Sequence, residues 1–126
     1  MVKGKIGIVV IVVLAILGAV VLTSAAATQV SQVVYITRSQ ACGCSAKSVK
    51  GADAAIAQVF TGPRQALLKR IDYDTDRQAA VPYIGEFRLI QLPALLFLDG
   101  QGHLLWSAIG DVKQKQVAQK LDQLGG

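Results

Sequence analysis

Cys42 and Cys44 are the only two cysteines of the 126-residue chain, and a single glycine separates them in "SQACGCSAKS". Two thiols this close can do three kinds of chemistry. They can exchange with other thiols and disulfides, one attacking and the other resolving the mixed disulfide. They can hold a soft metal such as Cu(I), which two thiolates suit. They can also close a structural disulfide, but that bond would bridge almost no chain and stabilise little. A disulfide wants its α-carbons about 4.4–6.8 Å apart, which residues two apart reach only in a small ring. Gly43 has no side chain and can take the backbone angles such a ring demands. Strain raises the potential, so the bond is easily reduced. That suits a disulfide donor or an isomerase better than a strong reductant.

Little else in the chain competes for chemistry. The one histidine, His103, falls in a turn, and the one methionine is the initiator. Tetrahedral zinc would need four ligands, so no metal site and no cofactor is expected. There is no Ser/His/Asp set, Walker-type glycine loop or H-x-x-x-H spacing. Tyr73, Asp74 and Asp76 gather at one strand end and read as a solvated loop with a helix cap. Trp106 and Tyr35 read as strand residues of the core.

The elements that must position the thiols follow from the hydrophobic pattern. "VVYIT" (33–37) is β-branched and aromatic at strand length, and "RSQACGC" is a loop. A helix is expected from about Ser45 to Phe60, with Val49, Ala52, Ile56, Val59 and Phe60 at helical spacing. "TGP" (61–63) stops it. "ALLKRIDYD" (66–74) reads as a second strand, and "TDRQ" (75–78) as a capping box opening a helix that Pro82 and Gly85 interrupt. "LPALLFLD" (92–99) suits a strand covered on both faces, "DGQG" (99–102) a tight turn, and "HLLWSAIG" (103–110) the returning strand. Asp111, with Gln114 reciprocal, is expected to cap a last helix whose stripe is Val117, Leu121 and Leu124. A mixed sheet with helices on both faces would bury this order.

Upstream of the domain the chain is apolar. Ile6 to Leu22 are seventeen residues without a charged or hydrogen-bonding side chain, preceded by Lys3 and Lys5. A positive flank tends to stay in the cytoplasm, so the remainder belongs on the far side of a membrane. Residues 1–27 are either a signal peptide cut near Ala27 after "SAAAT", or an uncleaved transmembrane anchor. Seventeen residues exceed a usual signal core and just reach the span of a membrane helix, which favours the anchor. Residues 28–32 read as a short tether, and 33–126 as the folded domain. The expected location is the cell membrane, single-pass, with the C-terminal domain extracytoplasmic; the alternative is a secreted or periplasmic protein after cleavage. Either way the thiols meet an oxidising compartment. The net charge is +5, and Lys3 and Lys5 account for two of it, leaving +3 downstream. With no basic run and no aromatic interleaving, nucleic-acid binding is not expected.

The order of parts resembles the thioredoxin family. A strand runs into a loop with paired cysteines, a helix follows directly, and about fifty residues on Pro93 precedes an apolar strand. "FRLIQLPALLFLDGQG" (87–102) is similar to the family's segment through its cis-proline, and Gly110 and the last helix also fall in place. The likeness covers 33–124. It implies a thioredoxin-like α/β fold, a three-layer sandwich with a mixed four-stranded sheet, here preceded by the N-terminal hydrophobic helix. It implies Cys42 as attacking thiol and Cys44 as resolving thiol, although Cys44, nearer the helix end, leaves the reverse open. It implies a cis Pro93, which with Leu92 would face the cysteines and pair with substrate backbone. The chain departs from the pattern in its C-x-C in place of C-x-x-C, in Ala41 where a tryptophan is usual, and in Ile36 where a buried acid often stands.

The resulting expectation is an exported, membrane-anchored thiol–disulfide oxidoreductase. It would act as a monomer on protein thiols or disulfides with a separate redox partner. The competing readings are a Cu(I) carrier using the same thiols and a non-catalytic binding module of the same fold.

Overall fold

A computed structural model describes residues 28–126. The hydrophobic helix expected within residues 1–27 lies outside the described residues. Four strands form one mixed sheet in the order β2-β1-β3-β4. They are β1 (Gln32–Thr37), β2 (Leu68–Asp72), β3 (Ala94–Leu98) and β4 (Leu104–Ile109). β1 runs parallel to β2 and antiparallel to β3, and β3 is antiparallel to β4. The two central strands carry the continuous apolar runs. Val33 to Thr37 and Ala94 to Leu98 are buried along their whole length. The edge strand β2 instead exposes Lys69 and Arg70, as an unpaired edge requires.

Strand alternation splits the core into two layers. Val33, Tyr35, Leu95 and Phe97 face helices α1 (Gly43–Val59) and α3 (Gln114–Leu124), and meet Ala52, Ile56, Val117 and Leu121 there. Val34, Ile36, Leu96 and Leu98 face α2 (Arg77–Glu86) and meet Ala80, Ile84 and Phe87. The result is the three-layer α/β/α arrangement that the element order implies. Trp106, partly buried, packs edge-on against Phe97 at 5.0 Å on the sheet face, and Tyr35 is fully buried in the core.

Several boundaries shift for physical reasons. The first helix starts at Gly43, two residues earlier than its apolar spacing suggests, so Cys44 belongs to the helix and not to the loop. After Val59 the chain makes a 3-10 turn over Gly62–Leu67, with Pro63 in its first turn, rather than simply stopping. α2 is capped by Asp76, which accepts the Ala79 N–H at 3.3 Å, not by a box from Thr75 to Gln78. Pro82 sits inside this helix, where it can donate no backbone hydrogen bond, and the helix ends after ten residues. Asp111 does not cap α3. Val112 between it and the helix is buried, α3 begins only at Gln114, and Asp111 pairs with the Lys113 ammonium at 3.3 Å.

The domain takes hold inside the expected tether. Val30 is buried, its N–H donates to Leu124 O at 2.9 Å, and the Ser31 N–H donates to Leu98 O at 2.8 Å. Gln29 also donates from its side chain to Gly125 O at 3.1 Å. The start of β1 and the end of α3 are therefore tied together at one pole, and the cysteines follow the other end of β1.

Candidate active site: two thiols at a helix start

Cys42 occupies the N-cap of α1 with extended backbone, and its carbonyl accepts the N–H groups of Ser45 (3.0 Å) and Ala46 (2.8 Å). Cys44 is the second residue of the helix. Both are exposed, free thiols, with their Sγ atoms in a 2.7 Å hydrogen-bond contact. Ser45 Oγ lies 3.3 Å from Cys42 Sγ. A helix start offers unpaired N–H groups and partial positive charge, the setting that favours a thiolate. The two thiols divide the charge unequally. The Cys42 thiol is lowered to about 6, first by the Cys44 hydrogen bond, then by the Ser45 hydroxyl and nearby backbone N–H groups. Cys44 is pushed up by the same hydrogen bond and by the Cys42 charge.

Gly43 has nothing within 4 Å of where a Cβ would stand, and its φ is not positive. The dithiol state therefore makes no demand for glycine here. Only the closed disulfide ring would call for glycine at this position.

A groove of about 410 Å³ opens beside the thiols, lined by Cys42, Cys44, Tyr73, Ile84, Ile90 and Leu92 among others. Its walls are mainly apolar, and Ile90 projects 93% exposed at the rim. The structure thus brings Leu92 to the same groove as both cysteines. The Leu92–Pro93 peptide bond is cis. Pro93 itself is fully buried, and its carbonyl accepts the Gly110 N–H at 2.7 Å. A larger hollow of about 710 Å³ lies at the opposite pole, lined by Thr61, Arg64, Leu67 and Gly125, and holds no thiol.

The loop leading to Cys42 is held by two carboxylates, one of which, Asp74, was expected to be solvated. Asp74 pairs with Arg38 at 2.9 Å and accepts the Gln40 N–H at 2.9 Å, and Asp72 accepts the Ser39 N–H at 3.1 Å. Only Asp76 of that group is the exposed cap expected. The signal was thin: two aspartates after a strand look alike whether they face water or a loop thirty residues away.

Ile36, at the position where an acid was noted as missing, is buried against α2, so no carboxylate replaces it there. The acid the sequence reading missed is Asp53, on α1. It accepts hydrogen bonds from the hydroxyls of Tyr35 and Thr37 and pairs with Arg70 at 3.2 Å. Asp53 follows Cys44 by nine helical residues, about 13 Å along the axis, too far to take its proton. His103 stays in the hairpin turn beside Asp99, 3.2 Å away. Among the described residues no three His, Cys, Asp or Glu side chains gather as a metal site.

No protein-family model and no curated protein matches the chain. Solved structures do. Trxlp from Edwardsiella tarda superposes with a TM-score of 0.53 at 20% identity, over 75% of this chain and 84% of that one. Thioredoxin from Malassezia sympodialis gives 0.52 at 15% identity, over 79% and 81%. The C-terminal domain of Neisseria meningitidis DsbD, in its reduced form, gives 0.50 at 15% identity, over 77% and 83%. The chain has a thioredoxin-like fold with a C-x-C pair at the start of α1.

Proposed function

We propose that the protein is a thiol–disulfide oxidoreductase whose working pair is Cys42 and Cys44. The single observation that carries this reading is the asymmetric thiol pair: two exposed sulfurs 2.7 Å apart at a helix start, one favoured as thiolate and the other as thiol. In the reducing direction the Cys42 thiolate attacks one sulfur of a substrate disulfide. A Cys42–substrate disulfide forms and the other substrate sulfur leaves as thiolate. Cys44 then gives up its proton and attacks Cys42 Sγ, forming the Cys42–Cys44 disulfide and releasing the second substrate thiol. Two electrons pass to the substrate, and a partner dithiol protein must return them. The oxidising direction is the same sequence reversed. The groove at Leu92 would receive the substrate segment next to the reacting cysteine.

The site is read as extracytoplasmic, on a domain anchored by residues 6–22. The described chain joins the domain at Val30, and Cys42 lies beyond the far end of β1, about 20 Å away at strand rise. Such an anchor would leave the thiols facing away from the bilayer, toward soluble partners. Cu(I) carriage by the same two sulfurs is the reading to test against. The deciding experiment assays insulin-disulfide reduction and refolding of a scrambled-disulfide protein, and measures Cu(I) binding against a competing chelator. Turnover in either disulfide assay supports the proposal. No turnover together with tight one-to-one Cu(I) binding removes it.

A further inference from the structure

Asp74 lies on the loop between β2 and α2, and its side chain is only 8% exposed. Three donors converge on it. Arg38 approaches with Nη2 at 2.9 Å and Nε at 3.4 Å, and the Gln40 N–H donates at 2.9 Å. All three belong to the segment that delivers Cys42 to the helix start. The Arg38 side chain, 35% exposed, lines the same groove as both sulfurs. It also lies 5.5 Å over the Tyr73 ring, which Arg77 covers at 4.8 Å. The guanidinium is thus held by the Asp74 carboxylate at the wall of the groove that both sulfurs line.

We propose that Asp74 is a positioning residue for the dithiol, holding Arg38 and the Gln40 amide so that the guanidinium is kept from closing on the Cys42 sulfur. A guanidinium that paired with the thiolate would raise the thiolate fraction and lower its nucleophilicity, and would block the groove. Held on Asp74, Arg38 keeps the loop in place and leaves Cys42 to its neighbours on α1. The upward shift of Arg38 has Asp74 as its main cause and Cys42 as a minor one, consistent with this division. The groups around Cys42 are Cys44 and Ser45 on α1, with Lys47 further along it, and Arg38 on its own loop. Asp72 ends β2, Tyr73 and Asp74 come from the β2–α2 loop, and Arg77 lies over Tyr73. The catalytic consequence rests on the oxidoreductase reading, but the hold of Asp74 on Arg38, beside the groove that Cys42 lines, does not.

The test reads the thiol directly. The reduced full chain is alkylated with iodoacetamide across pH, and modification at Cys42 is assigned by fragment mass spectrometry. Parent, Asp74→Asn, Arg38→Gln and the double variant are compared. Asparagine can still accept the Gln40 N–H but carries no charge to hold Arg38. The Asp74→Asn midpoint should fall by about one pH unit, as for a thiolate that gains a close cation. In the Arg38→Gln background the same change should move it by less than half as much. Equal shifts in the two backgrounds, no shift, or an upward shift overturn the proposal. If Asp74→Asn does not fold by circular dichroism, Arg38→Lys carries the test. One ammonium cannot hold both carboxylate oxygens, so the midpoint should again fall, and an unchanged midpoint overturns the proposal. Failure of the parent in both disulfide assays, together with tight one-to-one Cu(I) binding, would remove the proposed function and leave this titration standing on its own result.

Discussion

The hydroxyl of Tyr35, fully buried on β1, donates to the carboxylate of Asp53 on α1 and so ties the central strand to the helix that carries the thiols. Thr37 donates to the same oxygen at 3.0 Å, and Arg70 on β2 pairs with it at 3.2 Å. Tyr35→Phe removes one donor and leaves the ring in place. The expected cost is about 1.5–3 kcal/mol, the range for a hydrogen bond to a charged group, read as a lower urea midpoint with an unchanged slope. Burial first, then Asp53, pushes the Tyr35 hydroxyl far above its ordinary value. The unfolded tyrosine ionises near pH 10, so stability from this group is complete below that pH and falls as pH rises above it. Tyr35→Phe should flatten that alkaline decline. An identical decline in parent and variant would remove Tyr35 as its source.

The architecture was legible because its signals are local. Val33–Thr37 and Ala94–Leu98 declare buried strands by composition, and the stripe through Val49, Ala52, Ile56 and Val59 declares a helix. What escaped were contacts between residues far apart in sequence. Nothing near Asp74 announces Arg38, and nothing near Asp53 announces Tyr35. The helix start at Gly43 was missed because its first residues, Gly-Cys-Ser, have no apolar periodicity to read. Val30 looked like tether because one valine among polar residues gives no pattern, although its N–H and side chain are both used. At the site, the cysteines stand out by type and spacing, whereas Leu92 entered only through the family resemblance. Asp74, which braces the loop, reads in the sequence as a solvated residue.

The unequal thiols predict unequal chemistry. Cys42 should alkylate with a midpoint near pH 6, and Cys44 only above the ordinary thiol range. Exchange through Cys42 should therefore rise from pH 5 to 7 and then level off. Cys44→Ser should trap mixed disulfides with substrate proteins on a non-reducing gel, and Cys42→Ser should not. Adducts with Cys42→Ser alone would reverse the two roles.

Gly43→Ala should leave the reduced fold intact, because a Cβ there meets nothing within 4 Å. Alanine favours helical backbone over glycine by about 0.5–1 kcal/mol, which stabilises the dithiol state, where residue 43 is helical. The closed ring gains nothing comparable. The potential of the pair should become more oxidising by about 10–20 mV for this two-electron couple. Equilibration with glutathione reads it, and a shift toward a more reducing value would contradict the helical account.

Ile90 is 93% exposed beside the thiols and packs against no core cluster. Ile90→Ser should leave thermal stability within about 0.5 kcal/mol, as for surface changes generally. It should slow reduction of a protein disulfide several-fold while leaving reaction with a small aromatic disulfide reagent unchanged. Equal loss on both substrates would show that the residue acts on the thiols and not on the partner's chain.

The last expectation concerns where the domain begins. Val30 is 4% exposed against the main core, and two backbone N–H groups, of Val30 and Ser31, close onto Leu124 and Leu98. These bonds join the start of β1 to α3 and to β3, so they contribute although they precede the first strand. A chain of residues 28–126 should fold cooperatively, with a single thermal transition. A chain of residues 33–126 loses one buried valine, worth about 1.5–3 kcal/mol, the two backbone hydrogen bonds of about 1 kcal/mol each, the Gln29 side-chain bond to Gly125 and the first β1 residue, Gln32. Part of that is offset by the entropy of residues no longer ordered, about 1–2 kcal/mol apiece for the backbone. The net expectation is a lower melting temperature with the thiol titration unchanged, since Cys42 lies at the opposite end of β1. Equal melting temperatures would place the true edge of the domain at Val33. A shifted Cys42 midpoint would show instead that the two poles of the strand are coupled.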